Sequence, residues 1–328
     1  MMCKATTATT EQTTYFTVSP LMIFPKALGR FRVYIKQAGN YVLYAAAGEQ
    51  FTPAHRQKLH DAGVTEVYIR AEQRPDYDQY VEKHLPHILR DATIPLPERA
   101  KVLYSASEAV VRDVFETRLP HGLAVRDFKR VTGLVEKSLE FLSSEASLRH
   151  LAALTAHDYG VYTHNVHVFV YTMALLHAMQ ADEDTLVQTG TGALLHDIGK
   201  TRVPKTILDK PGPLSSDERA IINTHPVLGL ALCQDVPLSR TAAQCILMHH
   251  ERMDGSGYPG ALTAELIPQH ARVLAVADVY DALTTNRVYA EAMAPFPALR
   301  LMREEMDGHF DLEIYKRLVV LLSGAKLV

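Results

Sequence analysis

The sequence predicts a mainly α protein, with a larger all-helical domain preceded by a small α+β domain. Three observations point there. Short runs rich in β-branched and aromatic residues are confined to roughly the first 70 positions. A Pro-containing break, ATIPLPERA (92–100), follows. Beyond it, apolar residues recur at helical spacing in one segment after another. The expected domains are 1–95 and 96–328, with lead-in helices at about 96–147.

In the first domain, FRVYIK (31–36) and YVLYA (41–45) read as strands separated by the turn-forming QAGN, and EVYIR (66–70) reads as a third. TPAHRQKLHDAG (52–63) opens on Thr then Pro and closes on Gly, the start and stop signals of a helix. DYDQYVEKHLPHILRD (76–91) reads as a further helix, bent at Pro86. After the linker, ERAKVLYSASEAVVRDVFETRL, VRDFKRVTGLVEKSLEFLSS and HNVHVFVYTMALLHAM have helical periodicity. So do DEDTLVQTGTGALLHDIG, SSDERAIINTHPVLGLALCQ, SRTAAQCILMHH and PQHARVLAVADVYDALTTNR. The Ser-Ser-Asp-Glu that opens the second of these four supplies an N-cap and first-turn acids.

Of the 328 residues 47% are hydrophobic and 22% charged, with a formal net charge of −3. That balance fits a soluble globular chain. It gives no support to a nucleic-acid polymer or a membrane surface as partner. No apolar run approaches the roughly 18 residues of a membrane span, and MMCKATTATTEQTT lacks the apolar core of a signal peptide. The three cysteines, Cys3, Cys233 and Cys245, form no C-x-x-C pair. A reduced, cytoplasmic protein is expected. Histidine is the outlier, with sixteen residues in a chain that has no tryptophan.

The histidine spacing carries the chemistry. ALLHDIGK puts His196 and Asp197 behind three apolar residues and ahead of Gly199, where a helix is expected to end. Successive helical positions diverge by about 100°, so the pair can serve two metals or two sides of one site. NTHPVLG places His225 in a helix, and LMHHE places His249 and His250 at the end of another. AVADVYDAL places Asp278 inside an apolar helical run, and YTHNVHVFVY offers His164 near a helix start. A carboxylate buried at Asp278 needs a partner, because an unpaired charge is costly there. Helices that each send a His or Asp inward resemble the metal sites of helical bundles. Imidazole with carboxylate suits Fe, Mn, Zn, Co or Ni, and the lack of Cys ligands argues against a structural zinc cluster.

A lone helical histidine is more often a satisfied or exposed side chain than a ligand. His150, His157, His167, His177 and His270 are read that way. Asp281 and Arg287 read most simply as an ion pair joining a helix to the next loop. Lys200, just past the Gly-ended turn, reads either as a cation at a helix C-terminus or as a phosphate contact.

Taken in order, HDIGK, His225, HHERMDGSGYP and RVLAVADVYDALTTNRVY resemble the HD-GYP family of the HD superfamily, over about residues 160–290. The resemblance implies a metal-dependent phosphodiesterase that hydrolyses cyclic di-GMP to pGpG, GMP or both, by in-line attack of a metal-bridging hydroxide. The implied metal ligands are His164, His196, Asp197, His225, His249, His250 and Asp278. They would hold two divalent ions bridged by Asp197, with iron favoured and manganese or another transition metal as alternatives. Asp197 and Lys200 are the implied catalytic residues. Lys200, Arg287, Gly257, Tyr258 and Tyr289 are the implied substrate contacts. The Gly257-Tyr258-Pro259 loop borders the site, either as a rigid turn that fixes His249 and His250 or with Tyr258 shaping the pocket or meeting a partner protein.

The chain departs from the family twice. HDYGVYTH stands where many members carry DEYT, so Tyr159 and Gly160 replace the Glu associated with a third metal, and Asp158 reaches in only with a local shift. NRVYA replaces Arg-Pro-Tyr followed by a basic residue, so Ala290 removes one phosphate contact. The alternatives are an HD-type phosphohydrolase on another nucleotide or cyclic dinucleotide, or a catalytically weak module that signals by protein contact. The N-terminal domain shows no ligand signature. By family habit it is expected to regulate or dimerise, with a homodimer formed through it or through the lead-in helices.

Overall fold

Residues 14–23, 29–116, 119, 121–155, 162–286 and 291–323 are described in this computed structural model. The chain passes from one compact unit to another between Ile94 and Pro95. In the first unit, β1 (Tyr15–Val18), β2 (Val33–Gln37), β3 (Asn40–Ala45) and β4 (Val67–Arg70) form one antiparallel sheet in the order β1-β4-β2-β3. β1 is additional to the three expected strands. Its four residues are too short to show a period, and its pairing along β4, from Tyr15 with Arg70 to Val18 with Val67, supplies the rest. The helices are α1 (Pro53–Asp61) and α2 (Arg74–Arg90). α2 continues through Pro86 and buries Tyr77, Tyr80, Val81, Leu85, Ile88 and Leu89 along one side. The Phe31 ring meets Tyr77 and Tyr80 edge-on at 5.4 and 5.2 Å.

The second unit is helical. α3 (Leu96–Glu116) begins inside the expected linker. Pro97 lies in its first turn, where no amide N–H is required, so the connection is shorter than the sequence suggests. α4 (Val125–Leu142), α5 (Glu145–Thr155), α6 (Thr163–Ala178) and α7 (Glu183–Leu195) follow. α6 is buried on nearly every side from Thr163 to Leu176, as expected of a helix apolar all round. It packs against α3, α5 and α7. The chain continues through a 3-10 turn (Ile198–Arg202), α8 (Lys205–Leu208), α9 (Ser216–Ile222), α10 (His225–Leu232) and α11 (Arg240–Met248). Last come α12 (Gln269–Thr284), α13 (Pro295–Glu304) and α14 (Leu312–Ser323). α12 and α14 close the remaining sides of α6, and α11 lies on α7.

Two further helix boundaries differ from expectation, and both shape the site. α7 stops at Leu195, so His196 and Asp197 lie in a turn rather than in a helix ending at Gly199. SSDERAIINTHPVLGLALCQ forms two helices. Ser215 and Glu218 make the expected capping box at the start of α9, but α9 ends at Ile222. Pro226 has no N–H to give the Ile222 carbonyl; the His225 ring takes that carbonyl instead, Nδ1 donating at 2.8 Å. Among the described residues, no helix is long and apolar enough to cross a membrane.

Leu175 in α6 is fully buried, whereas Phe296 in α13 is 76% exposed. Leu175→Ala should cost about 2–5 kcal/mol by denaturant unfolding, and Phe296→Ala less than about 0.5 kcal/mol. Equal costs would contradict the placement of α6 at the centre of the core.

Candidate metal centre

Three histidines use the same local device. The Nδ1 atoms of His196, His225 and His249 donate to the carbonyls three residues earlier, Ala193, Ile222 and Ile246, at 2.7, 2.8 and 2.9 Å. Each of those carbonyls lies in the last turn of a helix, where the backbone leaves acceptors without partners. A neutral imidazole bound this way presents Nε2 as a lone pair. His250, next to His249, points Nδ1 towards Asp278 Oδ2 at 3.6 Å. His164, in the first turn of α6, donates from Nδ1 to Asp281 Oδ2 at 2.6 Å and turns Nε2 inward. Asn165 donates to the Leu194 carbonyl at 3.2 Å, which ties the start of α6 to the end of α7.

The inward atoms form two groups. Asp197, His225, His249 and His250 make one, and His164, His196 and Asp278 the other. Within each group the donor atoms lie within 4.8 Å of one another. Asp197 faces both. Its Oδ1 is 3.3 Å from His225 Nε2 and 3.8 Å from His249 Nε2. Its Oδ2 is 3.6 Å from His164 Nε2 and 3.5 Å from His196 Nε2. The seven residues expected as ligands are therefore brought together.

These side chains fit a cation. Asp197 Oδ1 and His196 Nε2 are buried without a hydrogen-bond partner. His225 Nε2 and His249 Nε2 lie 3.1 Å apart, although each ring has already given its Nδ1 proton to a carbonyl. Converging buried lone pairs are costly unless something positive lies among them. The donor set, imidazole and carboxylate with no thiolate, suits a divalent transition metal.

The electrostatics point the same way. Burial lowers the His196 and His249 imidazoles and brings His250 down to about 3, so these rings are neutral. Burial alone would raise Asp197, but the Lys200 ammonium and neighbouring imidazoles hold it well below the usual carboxylate range. Lys200 Nζ sits 2.6 Å from Asp197 Oδ2. Asp278 is likewise held low against its burial, by His164 above all. His164 is the exception: burial lowers it, but Asp278 and Asp281 outweigh that and raise it to about 9.

Close backbone approaches lock the turns. A Cβ on Gly199 would lie 1.9 Å from the His225 carbonyl oxygen, so only glycine lets the turn after Asp197 rest on α10. A Cβ on Gly257 would lie 2.4 Å from Arg252 N and 2.5 Å from the His250 oxygen. Tyr258 N donates to that same oxygen at 3.2 Å. The Tyr258 ring covers His250 at 4.7 Å between centroids and 30° between planes. The glycine-rich turn is thus seated on the histidine pair.

Two roles went unread in the sequence. Glu251, buried, accepts from Gly260 N and Leu262 N at 2.6 and 2.9 Å and clamps the far side of that turn. An acid beside two histidines gives no hint of pairing with backbone nine residues on. Asp281 accepts from His164 and from His167, the latter at 2.7 Å, so it serves two imidazoles; the expected tie to Arg287 lies outside the described residues. A carboxylate on a ligand histidine orients the ring and raises its basicity. The spacing of three residues from Asp278 to Asp281 is the signal that was open to reading. Arg287, Tyr289 and Ala290 lie outside the described residues, as do His157, Asp158, Tyr159 and Gly160.

A family model described as an HD domain matches residues 133–314. A cyclic di-GMP phosphodiesterase of Pseudomonas aeruginosa is 33% identical over 280 residues, covering 81% of this chain and 67% of that protein. A cyclic di-GMP phosphodiesterase response regulator of Xanthomonas campestris is 43% identical over 121 residues, covering 36% of this chain and 32% of the relative. A 3'3'-cGAMP-specific phosphodiesterase of Vibrio cholerae is 33% identical over 155 residues, covering 47% and 34%. The chain thus spans about a third of the last two. The solved structure of an HDG"Y"P protein from Bdellovibrio bacteriovorus superposes with a TM-score of 0.65 at 21% identity, covering 95% of this chain and all of that one, which supports the fold.

Gly199→Ala should cost about 1–3 kcal/mol or more by denaturant unfolding and abolish divalent-metal uptake; unchanged uptake would contradict the contact with α10. His164, raised to about 9, is protonated at neutral pH. A cation entering its group must displace that proton, so calorimetry in buffers of different ionisation enthalpy should show proton release at pH 7, and affinity should rise with pH towards 9. Uptake without proton release would refute this.

Proposed function

The chain belongs to the HD domain family, and we propose that it is a metal-dependent phosphodiesterase that hydrolyses cyclic di-GMP. The observation that carries the reading is the pair of His/Asp groups with the Asp197 carboxylate facing both. His164, His196 and Asp278 would hold one divalent ion, and His225, His249 and His250 would hold the other, with Asp197 placed to serve both. Iron is the favoured metal by resemblance, and manganese is also compatible with the donors. Ions held there supply Lewis acidity to the phosphoryl oxygens and acidify water at neutral pH.

The reaction is in-line. Water adds to phosphorus, the bond to the 3′-oxygen breaks, and the ring opens to pGpG; a second hydrolysis gives GMP. The chain's own residues set the stage for it. The neutral rings of His196, His249 and His250 keep lone pairs available at neutral pH. Lys200, half-exposed and close to Asp197, brings positive charge to where a non-bridging phosphoryl oxygen would lie. Tyr258, stacked over His250, offers a flat wall to a purine base, and Gly257 lets the turn that carries it seat against the backbone of residues 250–252. Arg287 and Tyr289 are the further proposed phosphate contacts. The first unit is proposed to regulate or dimerise, and the unit from about residue 96 onward to carry catalysis.

A second cyclic dinucleotide is the rival substrate, because relatives in Vibrio cholerae are named as specific for 3'3'-cGAMP. Metal analysis and product chromatography on the full chain, with cyclic di-GMP, 3'3'-cGAMP and cyclic di-AMP offered in turn, test the reading. Wild type should carry metal and turn over cyclic di-GMP fastest. Asp197→Ala should lose metal and fall in rate by on the order of a thousandfold or more. Wild-type turnover in that variant would sink the assignment, and faster hydrolysis of another dinucleotide would change the substrate.

A further inference from the structure

A chain of buried hydrogen bonds runs from the metal centre back to the first helix of the second unit. His164 Nδ1 donates to Asp281 Oδ2 at 2.6 Å, and His167 Nδ1 donates to Asp281 Oδ1 at 2.7 Å. The Tyr104 hydroxyl lies 2.6 Å from His167 Nε2. With His167 Nδ1 donating to the carboxylate, the tautomer that carries its single proton there accepts at Nε2 from the tyrosine hydroxyl. Tyr104, His167 and Asp281 are 5%, 0% and 1% exposed, so water does not compete for these bonds. Thr285 Oγ1 adds a donor to Asp281 Oδ1 at 3.1 Å. Tyr104 stands on α3, both histidines on α6 and Asp281 on α12.

We propose that Tyr104 is a positioning residue for the metal centre, acting through His167 and Asp281 on the orientation of His164. A carboxylate that serves one imidazole can rotate about its last bond; one that serves a different imidazole with each oxygen has its plane fixed. His167 can fix that plane only if its own ring is held. Anchored at Nδ1 alone, the ring can swing about that bond. Tyr104 supplies the second anchor, on the opposite side of the ring. Asp281 then directs His164 so that Nε2 faces Asp278 Oδ1 at 3.1 Å and Asp197 Oδ2 at 3.6 Å. α3 thereby sets the geometry of a site to which it sends no ligand. This inference rests on the proposal that the His164 group takes a cation.

The test is a Co²⁺ titration of the full chain against a competing chelator, with d–d absorption recorded at each step. Tyr104→Phe should retain wild-type circular dichroism. It should weaken the step that fills the His164 group about 3–10-fold, and Asp281→Asn should weaken it about 10–100-fold. Both should alter the d–d bands of that step and leave the other step unchanged. The double variant should bind no more weakly than Asp281→Asn, because Tyr104 acts only through that carboxylate. If Tyr104→Phe does not fold, His167→Asn takes its place: it keeps an N–H for Asp281, drops the bond to Tyr104 and should show the same weakening. Wild-type Co²⁺ affinity and spectrum in Tyr104→Phe, or in His167→Asn where that variant is used, overturn the proposal. So does a double variant whose loss is the product of the two single losses. A wild-type chain that takes up no Co²⁺ overturns the metal-centre reading, and this proposal with it.

Discussion

The surrounding protein leaves the Asp197 carboxylate incompletely satisfied. Its Oδ1 is buried without a hydrogen-bond partner, and its Oδ2 has Lys200. The rings of His196, His225 and His249 face it with nitrogens whose proton sits on the other side of the ring. Burying an ionised group in this way is tolerated only where positive charge compensates it. Much of the local architecture keeps that arrangement in place. α7 stops at Leu195, the following turn presses on α10 through Gly199, and α6 is tied to the end of α7 by Asn165.

The recurrent solution is to place the candidate ligands where helices end. The last carbonyls of a helix lack intrahelical donors, and an imidazole can answer one of them with Nδ1 while aiming Nε2 elsewhere. One hydrogen bond thus satisfies the backbone, selects the tautomer and orients the ring. His225 shows how economical this is: Pro226 withdraws the donor that Ile222 would have had, and the preceding histidine takes the acceptor. His164 is held instead by a carboxylate, so its basicity depends on Asp278 and Asp281 rather than on a carbonyl.

Much of this was legible in the sequence. The convergence of these side chains was readable because imidazole and carboxylate groups interrupt apolar helical runs, and such interruptions must be satisfied. The all-helical second unit followed from its 3.6-residue period. What the sequence hid was non-local or came from a competing rule. β1 needed β4 to become a strand. The break between α9 and α10 came from Pro226 overriding a continuous apolar pattern. The partners of Glu251 could be known only from the fold, and those of Asp281 were signalled only by its spacing from Asp278. His167 was read as a satisfied core histidine, which it is, and that reading concealed the groups it links.

The two ligand groups rest on unequal foundations. His164 and Asp278 stand on α6 and α12, long helices whose residues are buried almost throughout. His225, His249 and His250 stand at the ends of short helices, backed by the turn from Arg252 to Leu262, where Arg252, Asp254, Ser256 and Pro259 are exposed. Amides in the first setting exchange with solvent only when the whole unit opens, whereas those in the second are reached by local fraying. One half of the candidate centre is thus rooted in long buried helices, and the other in short helices and a turn that reaches solvent.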